Sequence, residues 1–378
     1  MVRRFHRYFL AALFILVVPS LAHSNPSKSS FTTAQVKEIH GLVDRIMAKE
    51  QVPGIIAGIW EGEKKPLIVA KGMADRDRGT PIQATDRYRI ASVTKTFTAA
   101  VVLQLIDQGR IRFDDRLDRF FPEVPNAGII TIKRLLNMTA GVFDFFYQDP
   151  AVQFDYLHKP LKKWNHETLY KILISHKPAY APGEKCVYSN ANYFLLGMII
   201  EKVTGNPLGK EIHDRVLKPL GMRNSAFPET PQIPGKYTHG YRDTNTPGEL
   251  EDITRVDPSL AWAGGAMISN LYDLKIWARE LVEGSLLSRT IQKDRLQWNT
   301  MKGCLGYGLG IMDWCGFIGH NGAILGYNNF VTYFPKKDAF VIVMSNKCNE
   351  DGKQNPAQDV FLGMTKILYP ELVPWGYK

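Results

Sequence analysis

The sequence lacks the marks of several large classes of protein. Its 378 residues include only four cysteines, and none of these has the C-x-x-C spacing of a zinc or redox site. The nine histidines are dispersed, with no pair at metal-ligand spacing. Lysine and arginine outnumber aspartate and glutamate by 47 to 37, but they form no run typical of nucleic-acid binding. We therefore expect no metal, no cofactor and no nucleic-acid partner.

Three common catalytic signatures are also absent. The chain has no H-E-x-x-H of a metalloprotease, no P-loop and no G-x-S-x-G nucleophile elbow. Predicted strands and helices do not alternate as βαβ units, which disfavours a doubly wound parallel sheet.

The only strongly apolar run lies at the N-terminus. Residues 1–24 begin with three arginines, continue as an apolar run from Tyr8 to Val18 and end on small residues suited to cleavage. This order predicts a secretory signal peptide. An uncleaved anchor is the alternative, but the run is short and Pro19 breaks it. We expect an exported protein, periplasmic or extracellular, with no transmembrane segment after signal cleavage.

An oxidising compartment would permit disulfides. Four cysteines allow three pairings, among which the sequence does not choose. They are Cys186, Cys304, Cys315 and Cys348.

Hydrophobic patterning predicts an α+β fold. Short β-rich runs lie near both ends of the chain, at 54–62, 66–74 and within 307–346. The middle shows helical periodicity, and several of its predicted helices end on glycine. We expect an antiparallel sheet built from both chain ends and flanked by helices, with a mostly helical subdomain inserted.

Residues 25–378 are predicted to form a single domain. Its α/β part would comprise about 25–91 and 288–378, and its helical part about 92–287. The cleft between the two parts is the expected position of the active site.

The stretch ASVTKTFTAA contains the candidate nucleophile. Ser92 is the only serine followed by lysine at the third position, and a strongly helical run comes after it. At a helix N-terminus, unpaired backbone N–H groups and the helix dipole stabilise an oxyanion. Lys95, one turn later, could take the serine proton if burial lowers its pKa. The simpler alternative is a capped helix whose lysine faces solvent.

Two later segments contain candidate partners. Tyr188 and Asn190 follow a Pro-Gly turn and precede an amphipathic helix. A tyrosine beside a lysine could act as a phenolate or relay a proton, and the asparagine could bind both the lysine and a substrate amide. The run His320–Gly322 lies in a β-rich stretch, where glycine permits close backbone approach to a ligand. Each segment is a weak signal when taken alone.

Together, Ser-x-x-Lys, Tyr-x-Asn and His-x-Gly in this order resemble the motifs of the serine penicillin-recognising enzymes of the β-lactamase-like family. That family includes class C β-lactamases, D-Ala-D-Ala carboxypeptidases of low molecular mass, D-aminopeptidases and related esterases. The resemblance extends over nearly the whole chain after the signal, through blocks such as ITIKRLLNMTAGV and YAPGEKCVYSNANYFLLGMIIEKVTG. It implies the β-lactamase/transpeptidase-like fold.

The resemblance also implies catalytic roles. Ser92 would be the acylated nucleophile and Lys95 its activating partner. Tyr188 would pass the proton to the leaving group, although either the tyrosine or the lysine could act as the general base.

The remaining motif residues would bind substrate. Asn190 would orient the substrate amide, and His320, Asn321 and Gly322 would line the strand along which the substrate docks. The backbone N–H of Ala323 would complete the oxyanion hole with that of the nucleophile.

One departure from the family pattern bears on the substrate. β-Lactamases of this family usually have Lys-Thr-Gly, whose lysine and threonine engage the substrate carboxylate, where this chain has His320-Asn321-Gly322. Histidine is mostly neutral near pH 7, and asparagine lacks the hydroxyl. Efficient cephalosporin hydrolysis is therefore not expected, whereas His-x-Gly is common among the peptidase and esterase members.

The expected function is that of an exported serine hydrolase resembling D-alanyl-D-alanine carboxypeptidases and acting on peptidoglycan peptides. A carboxylesterase or weak β-lactamase on the same scaffold is the first alternative, with a small ester or amide as substrate. A catalytically silent penicillin-binding or scaffold protein is the second. The deacylation rate and the oligomeric state are left open by the sequence.

Overall fold

The computed structural model describes residues 30–348 and 355–372, so the predicted signal peptide at 1–24 lies outside the described residues. Within these ranges, none of the helices combines the length and the apolar character that crossing a bilayer requires. The strands, numbered in chain order, are β1 Gly54–Glu61, β2 Leu67–Asp75, β3 Thr80–Pro81, β4 Tyr88–Arg89, β5 Tyr241–Asp243, β6 Leu250–Asp252, β7 Ile268–Ser269, β8 Asn299–Lys302, β9 Leu305–Tyr307, β10 Met312–Trp314, β11 Phe317–Ile324, β12 Tyr327–Phe334 and β13 Ala339–Ser345.

The helices are numbered in the same way. They are α1 Thr33–Glu50, α2 Thr94–Asp107, α3 Ile132–Leu136, α4 Phe145–Gln148, α5 Pro150–His158, α6 His166–Ser175, α7 Asn190–Thr204, α8 Leu208–Ile212, α9 Trp262–Gly265, α10 Leu271–Glu283, α11 Arg289–Arg295 and α12 Pro356–Leu368. Short 3₁₀ turns span Ala91–Val93, Leu117–Arg119 and Pro335–Lys337, and a π-turn at His213–Leu217 continues α8.

Nine strands form one antiparallel sheet in the order β3-β2-β1-β13-β12-β11-β10-β9-β8. Strand β1, from the start of the chain, pairs with β13, from its end, with Ile59 opposite Val341. Every residue of β12 and β13 is buried, because helices cover the centre of the sheet. Helices α12 and α10 both pack on these two strands, and α1 packs on α12. The predicted α+β fold, with a sheet from both chain ends flanked by helices, is confirmed.

Helix α2 lies at the centre of the helical part. Its residues from Thr94 to Leu105 are all buried, and it contacts α7, α8 and α9. A helix that is apolar on every side belongs inside a protein rather than on its surface. Consequently, a polar residue between Thr94 and Leu105 is removed from water whichever way it points.

Two regions of the fold add detail to the sequence-based picture. Strands β5 and β6 form a small hairpin of their own, apart from the main sheet. Cys304 and Cys315 form a disulfide that closes the open end of the β9–β10 hairpin. The division of the domain into parts at about 91 and 288 stays a prediction.

Candidate active site

Ser92 lies in the 3₁₀ turn between β4 and α2. The preceding Ala91 has φ +49°, a left-handed conformation that residues with a side chain rarely adopt, and such strain concentrates at functional sites. Strand β11 passes directly against this turn. A Cβ atom added to Gly322 would lie 2.3 Å from the carbonyl oxygen of Ile90, so only glycine permits this approach.

Lys95 is fully buried in the first turn of α2. Its Nζ lies 3.1 Å from Ser92 Oγ, 2.7 Å from Asn190 Oδ1 and 2.8 Å from the carbonyl oxygen of Gly264. This arrangement excludes the alternative of a lysine that faces solvent.

The partners of Lys95 fix the direction of its lone pair. The oxygens of Asn190 and Gly264 can only accept hydrogen bonds, so each takes one N–H of the amine. A neutral amine has two N–H groups and one lone pair. The lone pair is then directed at the hydroxyl of Ser92, which donates to it.

Burial favours this neutral form. It lowers the pKa of Lys95 from 10.5 to about 7, and the charge of Asp144 opposes the effect. Near neutral pH, about half of the molecules therefore hold a lysine that can accept a proton.

Tyr188 lies beside Lys95 and the candidate nucleophile. Its ring centroid is 4.8 Å from Lys95 Nζ, and its hydroxyl lies near the side chain of Ser92. The residue is partly exposed, but desolvation of the hydroxyl raises the pKa of Tyr188 well above its usual value. The phenol therefore stays protonated at neutral pH, which suits a proton relay and not a phenolate base.

Asp144 is a site residue that the sequence reasoning missed. It is 5% exposed and caps α4, where it accepts a hydrogen bond from Phe146 N at 2.9 Å. It also accepts one from Asn190 N at 2.7 Å, which fixes the start of α7. Burial raises the pKa of Asp144, while these backbone hydrogen bonds and Lys95 act in the opposite direction. The local sequence shows only a helix cap.

A small cavity opens beside the nucleophile. It has a volume of about 20 Å³, room for roughly one water molecule. All of its lining residues are uncharged: Ala91, Ser92, Phe146, Tyr147, Asn190, Ala261, Gly264, Gly265, Ala323 and Ile324. Within the described part of the chain, the buried Nδ2 of Asn190 has no well-aligned hydrogen-bond partner, although the Tyr147 hydroxyl lies beside it.

The predicted binding residues fall into two groups. Asn190 and Ala323 line the cavity, and Gly322 brings β11 against the nucleophile. The side chain of His320 is fully buried and does not line the cavity, and that of Asn321 is partly exposed.

His320 is held as a neutral ring. Its Nδ1 donates to the carbonyl oxygen of Asn321 at 2.6 Å, so its Nε2 accepts from the Tyr307 hydroxyl at 3.3 Å. Burial lowers the pKa of His320 to about 3. The ring therefore carries no positive charge at neutral pH.

Residues 30–348 and 355–372 contain no group of three or more histidine, cysteine, aspartate or glutamate side chains that could hold a metal ion.

Comparison with known proteins agrees with this geometry. The family model described as Beta-lactamase matches residues 39–362, which is most of the chain and includes all the motif residues. This chain belongs to the beta-lactamase family. Membership of this family, together with the similarity to a D-stereospecific amidohydrolase, supports a serine hydrolase.

Solved structures with the same fold superpose over most of the chain. A D-stereospecific amidohydrolase from Streptomyces sp. is 30% identical, with a TM-score of 0.76, over 88% of this chain and 99% of that protein. The D-amino acid amidase of Ochrobactrum anthropi SV3 is 23% identical, with a TM-score of 0.78, over 89% and 98% of the two chains, and it shares the fold.

Among curated relatives, the protein flp of Staphylococcus aureus strain MW2 is 26% identical over 331 residues. The match covers 84% of this chain and 64% of that relative, so the chain spans less than two thirds of its length.

Proposed function

We propose that this protein hydrolyses the amide bond of a D-amino-acid derivative through an acyl-enzyme on Ser92. The observation that carries the proposal is the buried amine of Lys95, which contacts Asn190 Oδ1, the Gly264 carbonyl oxygen and Ser92 Oγ. In the neutral form of this amine, the lone pair is left for the serine hydroxyl. An arrangement of this kind activates a serine without a histidine.

Acylation proceeds in two proton transfers. The Ser92 hydroxyl gives its proton to Lys95 Nζ while Oγ attacks the substrate carbonyl carbon. The backbone N–H groups of Ser92 and Ala323 bind the resulting oxyanion. The proton then passes from Lys95 through the Tyr188 hydroxyl to the leaving nitrogen, and the C–N bond breaks.

Deacylation reverses these roles. Lys95 accepts a proton from water, and the resulting hydroxide attacks the acyl carbon of the Ser92 ester. The proton returns to Ser92 Oγ as the ester bond breaks, which releases the acid and restores the free enzyme.

The cavity favours a substrate without a charge next to the scissile bond. Its lining is uncharged, and the Asn190 Nδ2 atom is placed to donate to a carbonyl oxygen of the acyl part. His320, at the position where β-lactamases of the family usually have lysine, is neutral and buried. The D configuration is proposed from the similarity to a D-stereospecific amidohydrolase.

These features favour a D-amino-acid amide over the free carboxylate that a D-Ala-D-Ala carboxypeptidase binds. The two substrate classes can be compared directly with N-acetyl-D-Ala-D-Ala and its C-terminal amide, with the L,L amide as the stereochemical control. We expect the D,D amide to have the highest kcat/KM and Ser92→Ala to abolish its turnover.

Each other outcome points to a different function. Faster hydrolysis of the free acid would favour the carboxypeptidase. Turnover of a short-chain nitrophenyl ester without turnover of any amide would favour the esterase. Intact-mass analysis after exposure to a fluorophosphonate and to penicillin tests the silent-protein alternative, since absence of any adduct on Ser92 would contradict an acyl-enzyme mechanism.

We also propose that the protein is exported. The apolar run within residues 1–24 and the Cys304–Cys315 disulfide both support an oxidising compartment outside the cytoplasm. Cell fractionation with intact-mass measurement tests this, and a full-length chain recovered from the cytoplasm would contradict it.

A further inference from the structure

A second, larger cavity lies next to the active site. It has a volume of about 430 Å³, within the size range of small-molecule sites. It is bounded by the start of α6, the start of α8, the segment before β5 and the segment leading into α9. None of the proposed catalytic residues lines it.

Aromatic rings form much of its wall. Trp164 and Trp262 line the cavity and are each 7% exposed, so that their rings are set deep in the fold. The ring of His166 packs on that of Trp262 with a centroid distance of 3.9 Å, and Phe227 lies on a further side. Such faces attract organic cations through the negative potential of their π-systems.

The charged groups of the cavity are mainly acidic. Glu201 and Glu229 both line it, and the charge of Glu229 acts with burial to raise the pKa of Glu201. Two carboxylates that repel each other across a cavity are stabilised when a cation binds between them.

Among the described residues of the lining, the basic side chains are Lys163, which is exposed at the surface, and His166, whose pKa burial lowers. The neighbouring Lys162 places its Nζ 3.8 Å from the ring centroid of Trp164 and pairs with Asp155, so the exposed face for a ligand cation is that beside the two glutamates.

At each of the two helix starts beside this cavity, a side-chain oxygen binds one backbone N–H group. Asn165 Oδ1 accepts from Glu167 N at 2.7 Å at the start of α6. Glu201 Oε1 accepts from Leu208 N at 2.9 Å at the start of α8, while the rest of this carboxylate remains available to a ligand.

We propose that this cavity binds a small organic cation, an ammonium joined to an apolar or aromatic group, at a site separate from that of Ser92. The ammonium would lie between Glu201 and Glu229, and the apolar group would pack against Trp164 and Trp262.

One segment separates this cavity from the active site. Trp262 lines the cation cavity, whereas Gly264 and Gly265, on the same short helix α9, line the Ser92 cavity. Trp262 itself has φ +30°, a strained conformation for a bulky residue. The proposed ligand would therefore rest on the segment whose Gly264 carbonyl oxygen binds Lys95.

The test uses the full chain and benzyltrimethylammonium, a permanent cation with one aromatic ring, titrated while tryptophan fluorescence is recorded. We expect saturable binding that weakens about tenfold or more in the double variant Glu201→Gln/Glu229→Gln, because the charge attraction is lost. Glutamine keeps a carbonyl oxygen for Leu208 N, so the fold is retained. Glu63→Gln is the matched control, since Glu63 is exposed in the turn between β1 and β2.

Two further titrations separate the possible outcomes. Equal affinity of Ser92→Ala and the unchanged protein supports a site distinct from the catalytic one, and weaker binding of benzenesulfonate supports selection for a cation. Three results would overturn the proposal: no saturable signal at millimolar cation, equal or tighter binding of the sulfonate, or loss of binding when Ser92 carries a fluorophosphonate adduct. None of the titrations requires turnover, so binding is tested independently of the proposed reaction, and only the adduct experiment needs a reactive Ser92.

Discussion

The pH dependence of acylation is a direct test of the role of Lys95. If its neutral amine is the base, kcat/KM for an uncharged substrate should follow the fraction of unprotonated lysine in the free enzyme. The pKa of about 7 then predicts a rate that rises about tenfold per pH unit below pH 7 and levels off above it.

The size of the effect follows from burial. A lysine that kept a pKa of 10.5 would be neutral in only about one molecule in 3,000 at pH 7, whereas Lys95 is neutral in about half of them. The site thus increases the population of the active base about a thousandfold. The same shift means that burial destabilises the protonated amine of Lys95 by roughly 5 kcal/mol, compared with the same group in water.

The assay is a pH–rate profile with an N-acetyl-D-amino-acid amide, which has no titrating group in this range. A rise that continues to about pH 10 would refute the reasoning, since it would indicate a base with the pKa of an ordinary lysine or a phenol. Asp144→Asn is the companion variant. Because the charge of Asp144 favours protonated Lys95, its removal should move the midpoint of the profile to lower pH, and a move to higher pH would contradict the assignment.

Three further predictions concern single features of the fold. Tyr188→Phe should lower kcat about 10²- to 10⁴-fold with little change in melting temperature, because only the relay hydroxyl is lost; full activity would exclude the relay. Gly322→Ala would place a Cβ atom 2.3 Å from Ile90 O and so push β11 away from the oxyanion hole. We expect kcat/KM to fall about 100-fold or more, and unchanged kinetics would contradict that geometry. The Cys304–Cys315 disulfide joins residues 11 apart in the sequence and restrains the unfolded chain. Replacing both cysteines by serine should therefore lower the free energy of unfolding, measured in urea, by roughly 3 kcal/mol, and no change would contradict this restraint.

Hydrophobic patterns predicted the longer elements of the fold. The runs at 54–62 and 66–74 became β1 and β2 with ends shifted by about a residue, because short runs rich in β-branched residues and bounded by turn residues form strands. Strands β4 and β7 were not predicted. Each has two residues, too few to show a period, and their pairing depends on a contact between distant parts of the chain.

The candidate site was predictable only in part. A spacing of three residues places Ser92 and Lys95 together on one turn, and this is local information. The carbonyl oxygen of Gly264, which helps to direct the lysine lone pair, comes from a segment 169 residues farther along. Any residue has such a carbonyl, so no side-chain pattern reveals it. The contact of Asp144 with the backbone of Asn190 was hidden for the same reason.

The pairing of β1 with β13 also affects how the protein folds. Ile59 cannot meet Val341 until almost the whole chain has been synthesised, and contacts between such distant residues form slowly because closing a long loop costs entropy. The centre of the sheet is therefore among the last parts to assemble. For a chain exported as proposed, this late closure lengthens the time during which the polypeptide remains unfolded and able to be threaded across a membrane.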